Sequence, residues 1–191
     1  MSLFESMLPP GLIYVPNWIS IAEQEEIVFE IDKNEFDSTL SRRVQHYGAR
    51  YDYERSRINS AGSAPPIPEV FRKIGQRLVH SGYFEQEPDQ VIVNEYVRDQ
   101  GIAAHADLKS FGPAIATISL LENWPMDFRS PEGEKISMIL QAGSLAVMTG
   151  PSRYSWTHQI AKRKRDEVGG MRITRLRRLS LTLRTMPSVT A

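Results

Sequence analysis

The stretch AAHADLKS, residues 103–110, places a histidine and an aspartate two positions apart, at His105 and Asp107. On a β-strand, side chains two residues apart point to the same face of the sheet. The imidazole and the carboxylate could therefore bind one metal ion together. An isolated pair of this kind is also common as a polar stripe on a solvent-facing strand, so a metal site requires a third ligand elsewhere in the chain.

The third ligand has few candidates, because the chain contains no cysteine and only four histidines, His46, His80, His105 and His158. His158 lies in SRYSWTHQI, shortly after the strand-like segment SLAVMTG. A jelly roll can bring such a segment beside the strand that carries His105. Two histidines and one carboxylate form the facial triad of non-haem Fe(II) oxygenases, which leaves open positions for a chelating cosubstrate and O2.

A second pattern with chemical meaning is RRLSLTLR at residues 177–184, in which polar residues and leucines alternate. On a strand the polar side chains share one face; they are Arg178, Ser180, Thr182 and Arg184. The alternation also fits an amphipathic strand whose polar side faces water. Two arginines on one face of a barrel could instead each pair with a carboxylate through charge-assisted hydrogen bonds, as a dicarboxylate cosubstrate requires.

The order of the expected elements favours a mainly β fold. One helix is expected over residues 21–31, after a capping-box pattern at Ser20 and Glu23, and a second over residues 68–79. After residue 87 the sequence consists of short β-rich segments such as QVIVNEYV, AIATISLL and EKISMIL. This order predicts a jelly roll with flanking α-helices. We expect one domain over residues 1–191, with a helical N-terminal part at about 1–85 and the β core at about 86–186.

The composition is that of an ordinary globular protein, with 191 residues, 41% hydrophobic residues and a net charge of zero. No apolar run approaches the roughly 18 residues that a membrane span needs. The N-terminus, MSLFESMLPP, lacks the basic and apolar regions of a secretory signal. We therefore expect a cytoplasmic protein with no membrane partner, and we expect a monomer.

Positive charge is concentrated in two segments. Residues 41–57 contain five arginines interleaved with three tyrosines, and residues 162–178 contain eight lysines and arginines against two acidic residues. Bases stack on aromatic rings while arginines hold phosphates, so the first segment favours a nucleic-acid partner. Charge runs of this kind are also common on solvated surfaces.

Taken in order along the chain, these motifs resemble those of the AlkB-type Fe(II)/2-oxoglutarate dioxygenases. The matching elements are NEY at 94–96, HAD at 105–107, the histidine at 158 and RLSLTLR at 178–184. The similarity extends through RRVQHYG, PDQVIVNEY and MTGPSRYSWTH and covers most of residues 10–186. These stretches look most like the AlkB homologues that in animals are fused to a tRNA methyltransferase.

The resemblance implies a double-stranded β-helix that binds Fe(II), 2-oxoglutarate and O2. It implies His105, Asp107 and His158 as iron ligands. It implies Arg184 near the end of 2-oxoglutarate that chelates iron and Arg178 at the far carboxylate, with Asn94, Tyr96 and Ser180 in the same pocket. A substrate-facing lid would contain Arg42, Arg43, His46 and Tyr47. The reaction implied is oxidative demethylation or hydroxylation of a modified base in single-stranded DNA, in RNA or in a tRNA loop.

The sequence departs from the repair enzymes of this family at two places. Those enzymes typically carry asparagine at the position of Ser180 and an acidic residue soon after His-x-Asp, where this chain reads LKS. Neither departure affects the expected iron ligands. Because of these two differences, however, the resemblance does not imply the DNA-repair specificity of those enzymes. Two alternatives stay open: a hydroxylase of a protein or small molecule, and a non-catalytic jelly-roll binding module.

Overall fold

The computed structural model describes residues 8–39, 41–49, 51–52, 57–58 and 64–186. Its helices are α1 (Ile21–Asp32), α2 (Glu69–His80) and α3 (Gly150–Tyr154). Its strands are β1 (Leu12–Val15), β2 (Arg43–Gly48), β3 (Tyr51–Asp52), β4 (Arg57–Ile58), β5 (Gln90–Val97), β6 (Ile102–His105), β7 (Ile115–Leu120), β8 (Trp124–Arg129), β9 (Lys135–Leu140), β10 (Leu145–Met148), β11 (Thr157–Ile160), β12 (Arg165–Val168), β13 (Met171–Thr174) and β14 (Arg177–Arg184). Arg50, Tyr53 and Arg55 of the first basic segment lie outside the described residues.

The first two helices begin where the sequence predicts. At the start of α1 the Glu23 backbone N–H donates to the Ser20 hydroxyl (3.2 Å), and the Ser20 backbone N–H donates to the Glu23 carboxylate (2.7 Å). This reciprocal pair is the predicted capping box. Helix α2 begins directly after Pro68, and its buried side chains, Phe71 and Leu78 among them, pack in the same hydrophobic cluster as Ile27 of α1. The two helices thus form one layer.

A six-stranded antiparallel sheet lies beneath this helical layer, in the order β1-β10-β7-β14-β5-β2. Its long central strand, β14, pairs with β5 on one side and with β7 on the other. Leu179, Leu181 and Leu183 on β14 are fully buried and belong to the cluster that contains the helices. Because side chains alternate along a strand, the polar residues of β14 must face the other way, into the space beneath the sheet.

A four-stranded sheet, in the order β6-β11-β8-β9, covers that other side. Strands β8 and β9 are joined at the predicted turn SPEG, where the Gly133 backbone N–H donates to the Ser130 carbonyl (3.1 Å). Phe128 and Leu140 of the four-stranded sheet pack against Ile115 and Met148 of the six-stranded sheet. Two facing antiparallel sheets with helices on one outer side confirm the predicted mainly β architecture.

The N-terminal part of the chain is more closely joined to this core than the predicted division at residue 85 suggests. Strand β1 pairs with β10 at one edge of the six-stranded sheet, and β2 pairs with β5 at the other edge. The segment RRVQHYG, expected to form a lid ahead of the barrel, contains all six residues of β2. In the described part of the chain, no helix is long and apolar enough to cross a membrane.

Candidate metal and cosubstrate site

The structure brings the three predicted metal ligands together between the two sheets. His105 ends β6, His158 lies on β11, and the two residues are direct partners in the register of these antiparallel strands. Asp107 lies two residues after the end of β6. One ligand atom from each of the three side chains lies within 4.8 Å of the other two, and the imidazole centroids are 4.3 Å apart. The pairing of β6 with β11 therefore brings together a compact His-Asp-His cluster.

Contacts within the protein orient both imidazoles. Nδ1 of His105 lies 2.8 Å from the Ala103 carbonyl oxygen, which can only accept, so Nδ1 donates this hydrogen bond and Nε2 is the nitrogen left to face a cation. His158 is buried, and burial together with the neighbouring His105 lowers the pKa of His158 to about 4. It is therefore uncharged near neutral pH and free to donate electron density to a cation.

Asp107 is oriented by the last arginine of β14. Nη1 of Arg184 donates to Oδ1 of Asp107 at 3.1 Å, and Nε of Arg184 donates to the Gln90 side-chain oxygen. The guanidinium also lies 3.7 Å from the centroid of the Phe111 ring. These three contacts hold Arg184 beside the His-Asp-His cluster.

The loop that follows Asp107 is held by an arginine from α3. Arg153 is 1% exposed, and its guanidinium donates to the backbone carbonyls of Asp107 (3.1 Å) and Leu108, with a longer bond to Phe111 (3.5 Å). Burial lowers the pKa of Arg153. Helix α3 ends only four residues before His158. Arg153 therefore fixes the backbone around Asp107 relative to the segment that leads to His158.

The first polar side chain of β14 is in a different electrostatic situation. Arg178 is fully buried, and its Nη2 donates a hydrogen bond to the Ser119 hydroxyl at 3.0 Å. Within the described residues, Nε and Nη1 have no partner. Burial lowers the pKa of Arg178 to about 10, so the side chain stays charged at neutral pH. A buried cation with two unused donors costs free energy unless an anion joins it. A carboxylate supplies what this guanidinium lacks.

The three predicted metal ligands line one cavity together with Arg178 and Arg184. Its volume is about 630 Å³, within the usual range for small-molecule sites. The strand register brings polar residues together in rows, with Arg178 beside Tyr96 and Ser180 beside both Asn94 and Ser119. Four of these residues line the cavity, and the fifth, Ser119, accepts a hydrogen bond from Arg178. Burial raises the pKa of Tyr96, so its hydroxyl stays protonated and can donate. The cavity thus has one arginine near each end of β14, Arg178 and Arg184, and neutral polar groups between them.

The predicted substrate-facing residues divide into two pairs. Arg42 and His46 line the cavity, and Nε of Arg42 donates to the Asn94 side-chain oxygen at 2.8 Å. Arg43 and Tyr47 do not, because alternation along β2 turns them to the other face.

Those two assignments are therefore corrected. Tyr47 is 2% exposed, packs edge-on against Phe71 at 5.4 Å in the core beneath the helices, and cannot offer a stacking surface. Arg43 forms an ion pair with Glu95 and lies over the Phe36 ring. Both residues stabilise the fold away from the cavity.

Three residues of the site were not assigned a role from the sequence. Gln90 shares a face with Asn94 and Tyr96 in QVIVNEYV, a period-two signal that could have identified it. Ser119 shares a face of β7 with Thr117, which is the same kind of period-two signal. Arg153 gives no sequence signal, because its contacts with residues 107–111 exist only once α3 has packed against that loop.

Two of the buried arginines, Arg178 and Arg175, should have opposite effects on stability when they are replaced. Arg178→Met should raise the free energy of unfolding of the ligand-free protein by about 1–3 kcal/mol, because an unpaired buried charge is replaced by an apolar chain. Arg175→Met should lower it by about 3 kcal/mol. Arg175 is equally buried but fully paired, with bonds of 2.7 and 2.8 Å to Asp166 and of 2.7 Å to the Ala161 carbonyl.

Urea denaturation measures both values, and 2-oxoglutarate should raise the unfolding midpoint of the wild type but not of Arg178→Met. Equal destabilisation by the two substitutions would show that Arg178 already has a partner in the ligand-free protein.

Comparisons with known proteins agree with this site. Residues 32–184 match the family model of the 2OG-Fe(II) oxygenase superfamily. The mouse protein named tRNA (carboxymethyluridine(34)-5-O)-methyltransferase ALKBH8 is 39% identical over 170 residues, which cover 84% of this chain and 26% of that protein. The chain thus corresponds to about a quarter of that relative's length. An Arabidopsis thaliana protein named alkylated DNA repair protein ALKBH8 homolog is 29% identical over 96% of this chain and 61% of its own length.

The fold is found in solved structures as well. The structure of OsALKBH1 superposes with a TM-score of 0.73 over 94% of this chain and 98% of that one, at 20% sequence identity. The jelly-roll prediction and the resemblance to AlkB homologues are thereby confirmed. The chain belongs to the 2OG-Fe(II) oxygenase superfamily, and its His-Asp-His cluster fits the Fe(II) that this family name implies.

Proposed function

We propose that this dioxygenase oxidises modified bases in single-stranded or looped nucleic acid, tRNA included, with His105, Asp107 and His158 as its iron ligands. The observation that carries the proposal is the position of the His-Asp-His cluster in one cavity with a buried, unpartnered guanidinium. The cluster fits Fe(II), which favours two imidazoles and one carboxylate with open positions. The guanidinium fits the carboxylate of a cosubstrate.

The cosubstrate contacts follow from the two arginines of β14. Arg184 lies against Asp107 and therefore meets the end of 2-oxoglutarate nearest the iron ligands. Arg178 receives the distal carboxylate on the two donors that have no partner among the described residues. Asn94, Tyr96 and Ser180 line the cavity alongside β14 and supply neutral hydrogen bonds.

Bound Fe(II), with 2-oxoglutarate and O2, supplies an oxidation in which one oxygen atom enters succinate as CO2 is lost and the other enters a substrate C–H bond. If the carbon is an N-methyl group on a base, the resulting N–CH2OH group breaks its C–N bond and releases formaldehyde. If it is another substituent, the alcohol remains. The residues of the chain determine this outcome only by selecting which carbon is presented.

Nucleic acid is the substrate class that the relatives and the cavity rim support together. The names of the mouse and Arabidopsis relatives refer to tRNA and to alkylated DNA. Arg42 and His46 on the cavity wall offer a cation and an aromatic ring to a phosphate and a base. A base that is already unstacked enters such a cavity at lower cost than one in a duplex. Action as a cytoplasmic monomer stays a prediction.

Nucleoside mass spectrometry tests the proposed substrate class. The protein is incubated with Fe(II), ascorbate, 2-oxoglutarate and either total tRNA or alkylated single-stranded DNA, and the products are digested to nucleosides. A modified nucleoside should lose its alkyl group or gain one oxygen atom, and His158→Ala should leave the nucleosides unchanged. Succinate formation with no nucleoside change in either substrate would favour a protein or small-molecule substrate.

The metal ligands are tested separately by calorimetric titration with Mn(II) in place of Fe(II). His158→Ala should weaken binding by roughly 100-fold or more, because a three-ligand site has no spare ligand. His80→Ala is the matched control, since His80 is exposed at the end of α2. Wild-type Mn(II) affinity in His158→Ala would refute the assignment of the triad.

The division of β2 into two faces gives a further test. Arg42→Ala should weaken binding of a single-stranded oligonucleotide and lower the log–log salt slope by about 0.7, the value for one phosphate contact. Arg43→Ala should leave both quantities unchanged, because Arg43 pairs with Glu95 on the opposite face. Fluorescence anisotropy at several salt concentrations measures the difference. Equal losses in the two variants would mean that Arg42 and Arg43 are not directed to different faces as described.

A further inference from the structure

The second basic segment of the sequence forms a feature that the proposed active site does not use. Strands β12 and β13 pair as an antiparallel hairpin, which with its flanking residues 161–176 is called the basic hairpin below. Four of its cations are exposed and form no ion pair with the residues that the structure describes. They are Lys162, Lys164, Arg165 and Arg172.

The base of the basic hairpin is rigid. Arg175 is 1% exposed and forms two hydrogen bonds with Asp166, which also accepts from Arg163 at 2.6 Å. The Arg175 guanidinium lies 4.3 Å from the Trp124 ring centroid, at the end of the four-stranded sheet. Asp166 is therefore neutralised internally, and Glu167 is the remaining acidic residue of the basic hairpin.

The basic hairpin is also held beside the cavity wall. The backbone N–H of Arg98 donates to the Leu176 carbonyl (3.4 Å), and the Gln100 side chain donates to the Ser41 carbonyl (2.6 Å). The turn between β5 and β6 therefore bridges the hairpin base and the segment that leads to Arg42 of the cavity. Arg98 is itself exposed. The backbone of Arg98 thus lies next to the base of the basic hairpin, in the turn that also contacts the segment before Arg42.

The two faces of the basic hairpin differ in chemistry. Register pairs Arg172 with Glu167 and Arg165 with Thr174, so these polar side chains share one face. The other face carries Met171 and Ile173, which are 68% and 49% exposed. A single-stranded polynucleotide presents both phosphates and the apolar surfaces of unstacked bases.

We propose that the basic hairpin binds the phosphate backbone of the nucleic-acid substrate beside the target nucleotide. The inference rests on the proposed function and adds to it a second contact region, outside the cavity and carried by its own residues. Because the base is fixed by Arg175 and Asp166, the cations are presented without a cost of ordering the hairpin on binding. Phosphate contacts of this kind fix the position of the strand and carry no sequence preference.

The test compares two charge-matched triple variants of the full chain. One is Lys162→Gln/Lys164→Gln/Arg172→Gln on the basic hairpin. The control is Lys33→Gln/Arg72→Gln/Lys73→Gln on α1 and α2, exposed residues of the helical layer outside the cavity. Binding of a fluorescein-labelled single-stranded RNA is measured by anisotropy from roughly 50 to 200 mM salt. Succinate formation without nucleic acid reports the integrity of the core.

The hairpin variant should bind the RNA roughly tenfold more weakly and lose about 2 units of log–log salt slope, about 0.7 for each of its contacts. The control variant should match the wild type in both quantities, and succinate formation should be unchanged in both variants. Identical binding by the hairpin and control variants, with a salt-dependent wild type, would overturn the hairpin inference alone. A wild type that forms succinate but binds neither RNA nor single-stranded DNA would overturn the proposed substrate class and this inference together.

Discussion

The burial of two arginines on the central strand β14 is the constraint on which the rest of the structure depends. A guanidinium removed from water costs several kcal/mol unless partners surround it. Arg184 has its partners within the protein, in Asp107 and Gln90, whereas Arg178 keeps two donors without a described partner. The leucines on the opposite face of β14 pack under the helices and supply hydrophobic stabilisation that offsets this cost. The strand is stable because its leucine face packs in the hydrophobic core while its polar face lines the cavity.

Much of this arrangement could be predicted from the sequence, because the relevant signals are local. Period-two alternation in RRLSLTLR and QVIVNEYV identified which side chains share a face, and the structure places those faces in the cavity. A polar strand facing water would show the same alternation, and only the burial of Arg178 and Ser180 rules that alternative out. His105 and His158 are 53 residues apart in the sequence. Their pairing could be predicted from the fold class and the order of the motifs, but not from their spacing.

The errors arose where a choice between faces depends on tertiary packing. Alternation along β2 separates Arg43 and Tyr47 from His46, but the sequence does not say which set the helices cover. Pairing of β2 with the edge of β5 decides it, turning Tyr47 towards Phe71 and His46 towards the cavity. Arg153 was missed for a related reason, since its acceptors are backbone carbonyls, which every sequence possesses.

The hydrogen bond from Arg184 to Asp107 has a consequence for coordination number. It occupies Oδ1 of the carboxylate, while Oδ2 is the oxygen near Nε2 of His158, at 3.9 Å. Asp107 can therefore offer a cation one oxygen atom rather than two. With one carboxylate oxygen and two imidazoles, the chain would supply three ligand atoms to a bound Fe(II), whereas a bidentate carboxylate would supply a fourth. By engaging one oxygen of Asp107, Arg184 would limit the protein to three ligand atoms and leave the other positions to a cosubstrate and O2.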